Sequence, residues 1–381
     1  MKKVMLVFGT RPEAIKMAPL CHAFQAEDAL ETTVCVTAQH REMLDQVLSI
    51  FDLTPDIDLN LMKKDQDLFD ITSSVILKMR DVLAEYKPDV VLVHGDTATT
   101  MATSVACFYA GVSVGHVEAG LRTHDINAPF PEEFNRRVAS IVTKIHFTPT
   151  LLSRQNLIDE KIDDSNIWVT GNTVIDSLHW VLHKIESTPS ERVRINALLD
   201  EFLPFDWLNS RYVLITGHRR ENFGTGFLNI CEAIAILAKK HSDVHFIYPV
   251  HLNPNVQEPV NNLLSTFKNV HLIPPLDYEP FVSLLKSCYL VLTDSGGIQE
   301  EAPSLGKPVL VMRDVTERPE AIEAGTVKLV GANKAVIVSC IDELLTDTDC
   351  YQVMSQAHNP YGDGKACRRI VENIKDLLDV S

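Results

Sequence analysis

The segment Thr293-Asp-Ser-Gly-Gly-Ile-Gln-Glu-Glu301 carries the strongest chemical signal in this sequence of 381 residues. It reads as the end of a strand, a Ser-Gly-Gly turn and the first turn of a helix. The N–H groups of Ser295, Gly296 and Gly297 are exposed in such a turn, and glycine lets a ligand approach the backbone, so the segment can cradle a pyrophosphate. Glu301, one turn into the helix, is spaced to accept hydrogen bonds from two ribose hydroxyls, and Glu300 reads as its solvated neighbour. An ordinary serine-capped helix is the alternative. Arg313 and Thr316-Glu-Arg-Pro-Glu320 put further guanidinium groups, Arg318 among them, near a helix N-terminus. The helix dipole disfavours cations there, so a phosphate partner explains them better than a surface role. Thr216-Gly-His-Arg-Arg-Glu-Asn222 adds His218 and Arg219 to a cationic edge, and His251 opens His251-Leu-Asn-Pro-Asn255 as either a capping histidine or a ligand contact.

The first half supplies carboxylates. Gly9-Thr-Arg-Pro-Glu-Ala-Ile-Lys16 places Arg11 and Lys16 around a helix N-terminus, with Pro12 in the first turn, where a phosphate would gain from the dipole and from both cations. It is neither a Walker loop nor a G-x-G-x-x-G fingerprint, so neither ATP nor a nicotinamide cofactor is supported. In His94-Gly-Asp-Thr97, Asp96 either caps a helix starting near Thr99 or does chemistry at a strand-to-helix corner. In His116-Val-Glu-Ala-Gly-Leu-Arg122, Glu118 ends an apolar strand, where an unpaired carboxylate is costly, so a partner is expected and Arg122 is the nearest in sequence. Glu118 is then a base or half of a structural ion pair. Asn127-Ala-Pro-Phe-Pro-Glu-Glu-Phe-Asn-Arg136 leads into a helix beginning near Glu132. Glu132 and Glu133 point to different faces of it, one toward a ligand and the other solvated or paired with Arg136 or Arg137.

These loops need a scaffold. Short β-branched runs alternate with longer amphipathic stretches. They fall at 3–8, 33–37, 89–94, 112–117, 144–148 and 166–170, then at 211–216, 244–249, 269–273, 289–293, 308–312 and 327–330. Runs such as Val90-Val-Leu-Val93 lack period-two alternation and fit strands buried on both faces, which means parallel sheets covered by helices. Twelve strands make two sheets of about six each. The α/β chain therefore divides into Rossmann-like domains at 1–171 and 172–364, facing each other across a cleft, with a helix at 365–379 returning to the first. No apolar run approaches the ~18 residues that span a bilayer. A net charge of −16 argues against nucleic acid as a partner. Eight cysteines without a C-x-x-C pair fit reduced core residues of a cytoplasmic protein and give no zinc spacing.

Nine segments in order, among them Phe8-Gly-Thr-Arg-Pro-Glu-Ala-Ile-Lys16, Gln39-His-Arg-Glu-Met43, His94-Gly-Asp-Thr97, Pro131-Glu-Glu-Phe-Asn-Arg136, Thr170-Gly-Asn172, Asp294-Ser-Gly-Gly-Ile-Gln-Glu-Glu301 and Arg318-Pro-Glu320, resemble the bacterial non-hydrolysing UDP-N-acetylglucosamine 2-epimerases from residue 1 to about 370. The resemblance implies a GT-B-like fold, a homodimer, and reversible conversion of UDP-GlcNAc to UDP-ManNAc for surface-polysaccharide synthesis, with no metal or cofactor. It implies that Arg11, His218, Phe281, Ser295, Gly296, Gly297, Glu301 and Arg318 hold UDP, and that Asp96, Glu118 and Glu132 surround the sugar. It further implies activation by substrate at an adjacent site formed by Gln39, Arg219 and His251. The chemistry it implies is elimination of UDP to 2-acetamidoglucal and re-addition after C2 is protonated from the other face. A retaining glycosyltransferase, a hydrolysing epimerase and a non-catalytic UDP-sugar sensor are the competing expectations.

Overall fold

The computed structural model describes residues 1–38, 41–62, 66–316 and 318–380. The chain forms two units, Met1–Trp180 with Tyr361–Ser381, and Val181–Pro360. The division falls inside the helix Thr173–Ser187, past the 171/172 boundary expected from composition. A helix that buries Val174, Ile175, Leu178 and Val181 continues through a point where the sequence merely turns more polar.

In the first unit, β1 (Lys2–Phe8), β2 (Leu30–Val36), β3 (Ile57–Asp58), β4 (Val90–His94), β5 (Ser113–Val117), β6 (Ile145–Thr148) and β7 (Ile167–Val169) form one parallel sheet in the order β3-β2-β1-β4-β5-β6-β7. In the second, β8 (Tyr212–Thr216), β9 (His245–Pro249), β10 (Val270–Ile273), β11 (Leu290–Thr293), β12 (Val309–Val311) and β13 (Val327–Leu329) are ordered β10-β9-β8-β11-β12-β13. Every one of the twelve expected runs overlaps a strand. The strand missed is β3, whose two residues are too few to leave a pattern. Val90, Val91, Leu92 and Val93 are buried, as continuous apolar runs require. One face of the first sheet packs Met5, Val7, Val91 and Val93 on Val75, Met79 and Leu83 of the helix Leu68–Tyr86. In the second, Val213, Ile215, Phe246 and Leu292 pack with Ile230, Ile234 and Leu237 of Thr225–Lys240.

Strand order reverses at β1/β4 in one sheet and at β8/β11 in the other. At such points neighbouring strands send their following helices to opposite faces, so the loops after them splay apart and leave room for a ligand. Arg11, Asp96, His218 and Ser295–Gly297 follow these four strands, while Glu118 follows β5, His251 follows β9 and Arg318 follows β12. The C-terminal helix Ala366–Leu377 packs on Arg11–Gln25, with Lys375 Nζ 2.7 Å from Glu27 Oε2.

Three buried histidines lie on neighbouring strands: His94 on β4, His116 on β5 and His146 on β6, with His116 and His146 in register. Burial drives their ionisation down, to about 4 for His94 and His116 and to about 3 for His146. The unfolded chain takes up a proton on each near pH 6.5, where the folded chain does not. This contribution to stability is therefore complete above pH 6.5 and is lost as pH falls toward 4. The expected slope is about 1.4 kcal/mol per pH unit for each histidine. Thermal melts between pH 7.5 and 5 check it: the slope should fall by about a third in His146→Phe, and a parent Tm that stays flat over that range contradicts it.

Candidate active site

In the first unit the site is assembled from the ends of β1, β4 and β5. Thr10 is the N-cap residue of the helix Arg11–Gln25, and the Glu13 side chain reaches back to its N–H. The buried Glu13 carboxylate accepts from the N–H groups of Gly9 (3.0 Å) and Thr10 (2.8 Å) and from the hydroxyls of Thr97 (2.6 Å) and Thr100 (3.2 Å). It ties the turn after β1 to the turn after β4. Burial raises its pKa, and these hydrogen bonds oppose the rise. The Thr-x-x-Glu spacing is the signal that would have found it. Gly9 is required at the corner, since a Cβ there would stand 1.9 Å from Thr37 Oγ1.

Asp96 is not a helix cap. Thr97 caps Ala98–Ala110 by accepting from Thr100 N at 3.1 Å. This leaves the Asp96 carboxylate to Arg136, whose Nη2 is 2.5 Å from Oδ2, while Asn135 Nδ2 holds the Asp96 carbonyl at 2.9 Å. Arg136 and Asn135 come from the helix Glu132–Val142. On the same helix, Glu133 is fully buried and accepts from Arg136 Nη1 (3.2 Å), Thr123 N (3.1 Å) and His124 N (3.3 Å), whereas Glu132 is half-buried. Of the two glutamates, Glu133 is thus the structural one.

Glu118 ends β5 in the left-handed region, at φ +63°. Its side chain is 8% exposed and is ion-paired with Lys16, while Asn172 Nδ2 donates to Oε2 at 2.7 Å. The expected partner, Arg122, instead binds Glu160 through Nε (2.7 Å) and Nη2 (2.8 Å). The cause lies in the backbone. Positive φ at both Glu118 and Gly120 turns the chain onto the helix Leu151–Asp159, where a Cβ on Gly120 would meet Ser153 O at 2.2 Å. Arg122 is carried to Glu160 and away from Glu118. Lys16, expected at a phosphate, is committed to a carboxylate, whereas Arg11 is half-buried at the helix start with no side-chain partner among the described residues. His94 Nε2 lies 3.9 Å from Glu118 Oε2.

In the second unit Asp294 organises the loops after β8 and β11. It is fully buried and accepts from the N–H groups of His218 and Arg219, both at 2.8 Å on Oδ2, with His218 Nδ1 3.5 Å from Oδ1. Partial burial lowers the His218 pKa. Asp294 opposes that shift, and His251 and Arg219 reinforce it. His251 stacks on His218 with ring centroids 5.5 Å apart, and its Nδ1 accepts from Asn253 N at 3.1 Å. Gln39, grouped with Arg219 and His251 from sequence, lies outside the described residues.

The anion cradle differs from its expected form. Ser295 N–H donates to Thr293 Oγ1 at 2.9 Å, which leaves the Gly296 and Gly297 amides at the start of Ile298–Ser304, with Gly297 rather than serine at the cap. The Arg318 guanidinium lies against Gly296, where a Cβ would stand 2.7 Å from Nη1. Glu300 is not a solvated neighbour. It is 1% exposed and accepts from Arg318 Nε at 2.6 Å, because this short helix is covered along its length and a carboxylate there must be paired. Glu301 accepts from Tyr278 Oη at 2.6 Å, and Phe281 is half-buried on the same helix, Tyr278–Ser287. Arg313 Nε binds Glu221 at 2.8 Å.

The first unit therefore presents two cation-held carboxylates on adjacent strand ends, which suits proton transfer at carbon. The second presents guanidinium, imidazole and glycine amides, which suit a diphosphate. Over residues 22–375 the chain matches the family model described as UDP-N-acetylglucosamine 2-epimerase. It is 58% identical over 374 residues to the UDP-N-acetylglucosamine 2-epimerase of Escherichia coli O157:H7, covering 98% of each chain. Among solved structures it is similar to UDP-GlcNAc 2-epimerase from Neisseria meningitidis bound to UDP-GlcNAc, with 52% identity, a TM-score of 0.88 and coverage of 98% of this chain and 100% of that one. It is also similar to the Methanocaldococcus jannaschii enzyme in complex with UDP-GlcNAc and UDP, with 32% identity, a TM-score of 0.79 and coverage of 98% and 99%. The architecture of two Rossmann-like parallel sheets is α/β and GT-B-like.

Proposed function

The chain belongs to the UDP-N-acetylglucosamine 2-epimerase family, and from that premise we propose that it interconverts UDP-GlcNAc and UDP-ManNAc without hydrolysis, by eliminating and re-adding UDP. The observation that carries this reading is the pair Asp96 and Glu118, on the ends of adjacent strands, each carboxylate held by a cation. C2–H of the sugar has no neighbouring carbonyl to acidify it. As the C1–O bond breaks, its electron pair leaves with UDP and positive charge builds at C1, so the C2 proton can pass to a carboxylate. The product of this step is 2-acetamidoglucal. Protonation of C2 from the opposite face, with return of a UDP oxygen to C1, gives the epimer. Asp96, Glu118 and Glu132 serve the proton transfers.

In the same proposal Arg11, His218, Arg318 and the Gly296 and Gly297 amides stabilise the leaving diphosphate. Glu301 takes the ribose hydroxyls, and Phe281 and Ser295 complete the UDP site. Lys16 serves Glu118 rather than a phosphate. His251, stacked on His218, and Arg219 are the positions where a second substrate molecule would act, a role that rests on the resemblance alone. A homodimer in the cytoplasm, supplying surface-polysaccharide synthesis, belongs to the same reading, and eight cysteines without disulfides agree with that compartment.

Proton NMR of UDP-GlcNAc in D₂O with purified protein, without added metal or nucleotide, tests this reading. The expected result is UDP-ManNAc carrying deuterium at C2, with a trace of UDP and 2-acetamidoglucal. Free ManNAc with stoichiometric UDP makes the enzyme a hydrolysing epimerase. Absence of turnover and of exchange, in protein that still binds UDP, overturns the epimerase reading and favours transfer to a glycosyl acceptor.

A further inference from the structure

Thr170-Gly-Asn172 follows β7, and the function proposed above gives Asn172 no role beyond its contact with Glu118. We propose that Asn172 is a positioning residue for the epimerisation, a fixed hydrogen-bond donor that orients the Glu118 carboxylate, and that the returning C-terminal segment 361–367 holds it in place. The proposal rests on the reading of Glu118 as a catalytic carboxylate.

Asn172 is 2% exposed, and its amide can be oriented in only one way. Its Oδ1 accepts from Val174 N at 3.1 Å, so the NH₂ group must be the side that faces Glu118 Oε2 at 2.7 Å. Lys16 and Asn172 both bind Oε2, and His94 Nε2 is nearest to that same oxygen. The carboxylate is thereby turned with Oε1 toward Gly95, where a Cβ would stand 3.5 Å from it. Lys16 supplies charge, and Asn172 supplies direction without charge. A carboxylate that must meet one C–H bond at a defined angle needs both, because misplacement by about 1 Å can cost on the order of 10²-fold in rate.

The clamp on Asn172 comes from far along the chain. Its own N–H donates to Tyr361 O at 2.7 Å. Gly171 (φ +89°) and Gly362 (φ +124°) let the two segments touch, since a Cβ on Gly171 would lie 3.3 Å from Gly362 Cα. Asp176 accepts from Ala366 N (3.2 Å) and Cys367 N (3.0 Å), and Arg369 Nη1 donates to Thr170 O at 3.0 Å. These bonds tie the returning C-terminal segment to residues on both sides of Asn172, the Thr170 carbonyl and the Asp176 carboxylate.

Asn172→Asp keeps the acceptor for Val174 N–H but sets a second carboxylate against Oε2. Like charges that close raise the pKa of one of the pair. The expected result is a fall in kcat of about tenfold or more, with the pH-profile limb that reports Glu118 moving up by about one unit and UDP affinity within about twofold of the parent. Asn172→Ala removes the donor without adding charge, and should lower kcat and move the same limb upward by less. In a Glu118→Gln background neither change should reduce the residual turnover further.

A folded Asn172→Asp or Asn172→Ala enzyme with parental kcat and an unmoved limb overturns the proposal. Losses that add in full to that of Glu118→Gln do the same. If Asn172→Asp does not fold, Asn172→Ala decides, and loss of the fold in both marks the residue as structural and ends the proposal. A parent protein without C2 exchange removes the epimerase reading itself, whereas an active parent with indifferent Asn172 variants removes only this inference.

Discussion

Glu118→Gln is expected to lower kcat for UDP-GlcNAc by about 10²–10⁴-fold, the usual share of a positioned acid or base, while UDP binds as it does to the parent protein. Glutamine keeps the shape of the side chain and can still face Asn172, but it neither accepts a proton at the operating pH nor balances Lys16. The lysine side chain is 13% exposed, so the variant also leaves a cation poorly compensated and should melt at a lower temperature. Activity is therefore measured well below the Tm of the variant, with UDP affinity by calorimetry as the check on the fold. Asp96→Asn keeps an oxygen for Arg136 and should lose turnover similarly with a smaller loss of stability. Glu132→Gln, on a half-buried side chain, should cost turnover alone. If any of the three retains kcat within about threefold of the parent, that residue lies outside the acid–base set.

Arg318→Met is expected to affect both binding and folding. In the proposed site the guanidinium meets the diphosphate, and a charged hydrogen bond of this kind contributes about 1.5–3 kcal/mol, so UDP should bind about 10–150-fold more weakly. The same group also neutralises Glu300, whose side chain is 1% exposed, and removing one partner of a buried pair costs about 3–5 kcal/mol. The double variant Arg318→Met/Glu300→Leu separates the two effects. Replacing both charges with apolar groups should restore most of the lost stability and none of the UDP affinity. Chemical denaturation and UDP titration of the parent, single and double variants check this. A double variant that regains UDP binding would show that Arg318 only supports the helix Ile298–Ser304 and does not touch the nucleotide.

The alternation of apolar runs and amphipathic stretches was sufficient to place twelve strands, and the turn residues after them marked the loops that carry the candidate chemistry. Both signals are local. A strand buried on both faces must be apolar along its whole length, as Val90–Val93 is, and a tight strand-to-helix corner needs glycine or a capping side chain, as at Gly9 and Thr10. The Asp96 and Glu118 carboxylates could be singled out from the sequence, one at a strand-to-helix corner and the other closing an apolar strand, whereas Asp294, buried beneath the N–H groups of His218 and Arg219, was not. The identity of their partners could not be read in this way. Glu118 is served by Lys16, 102 residues away, because β1 and β5 both flank β4, and by Asn172, because the C-terminal segment returns to hold it. Arg122, four residues from Glu118, is lost to Glu160 through two positive-φ residues in a row of three. Glu300 was expected in solvent as the neighbour of Glu301, yet the fold covers it and supplies Arg318. Which charges pair is decided by burial and by the handedness of single turns. Desolvation makes a buried ion take the partners that the fold brings within reach, cations for Glu118 and Glu300 and N–H or hydroxyl donors for Glu13 and Asp294.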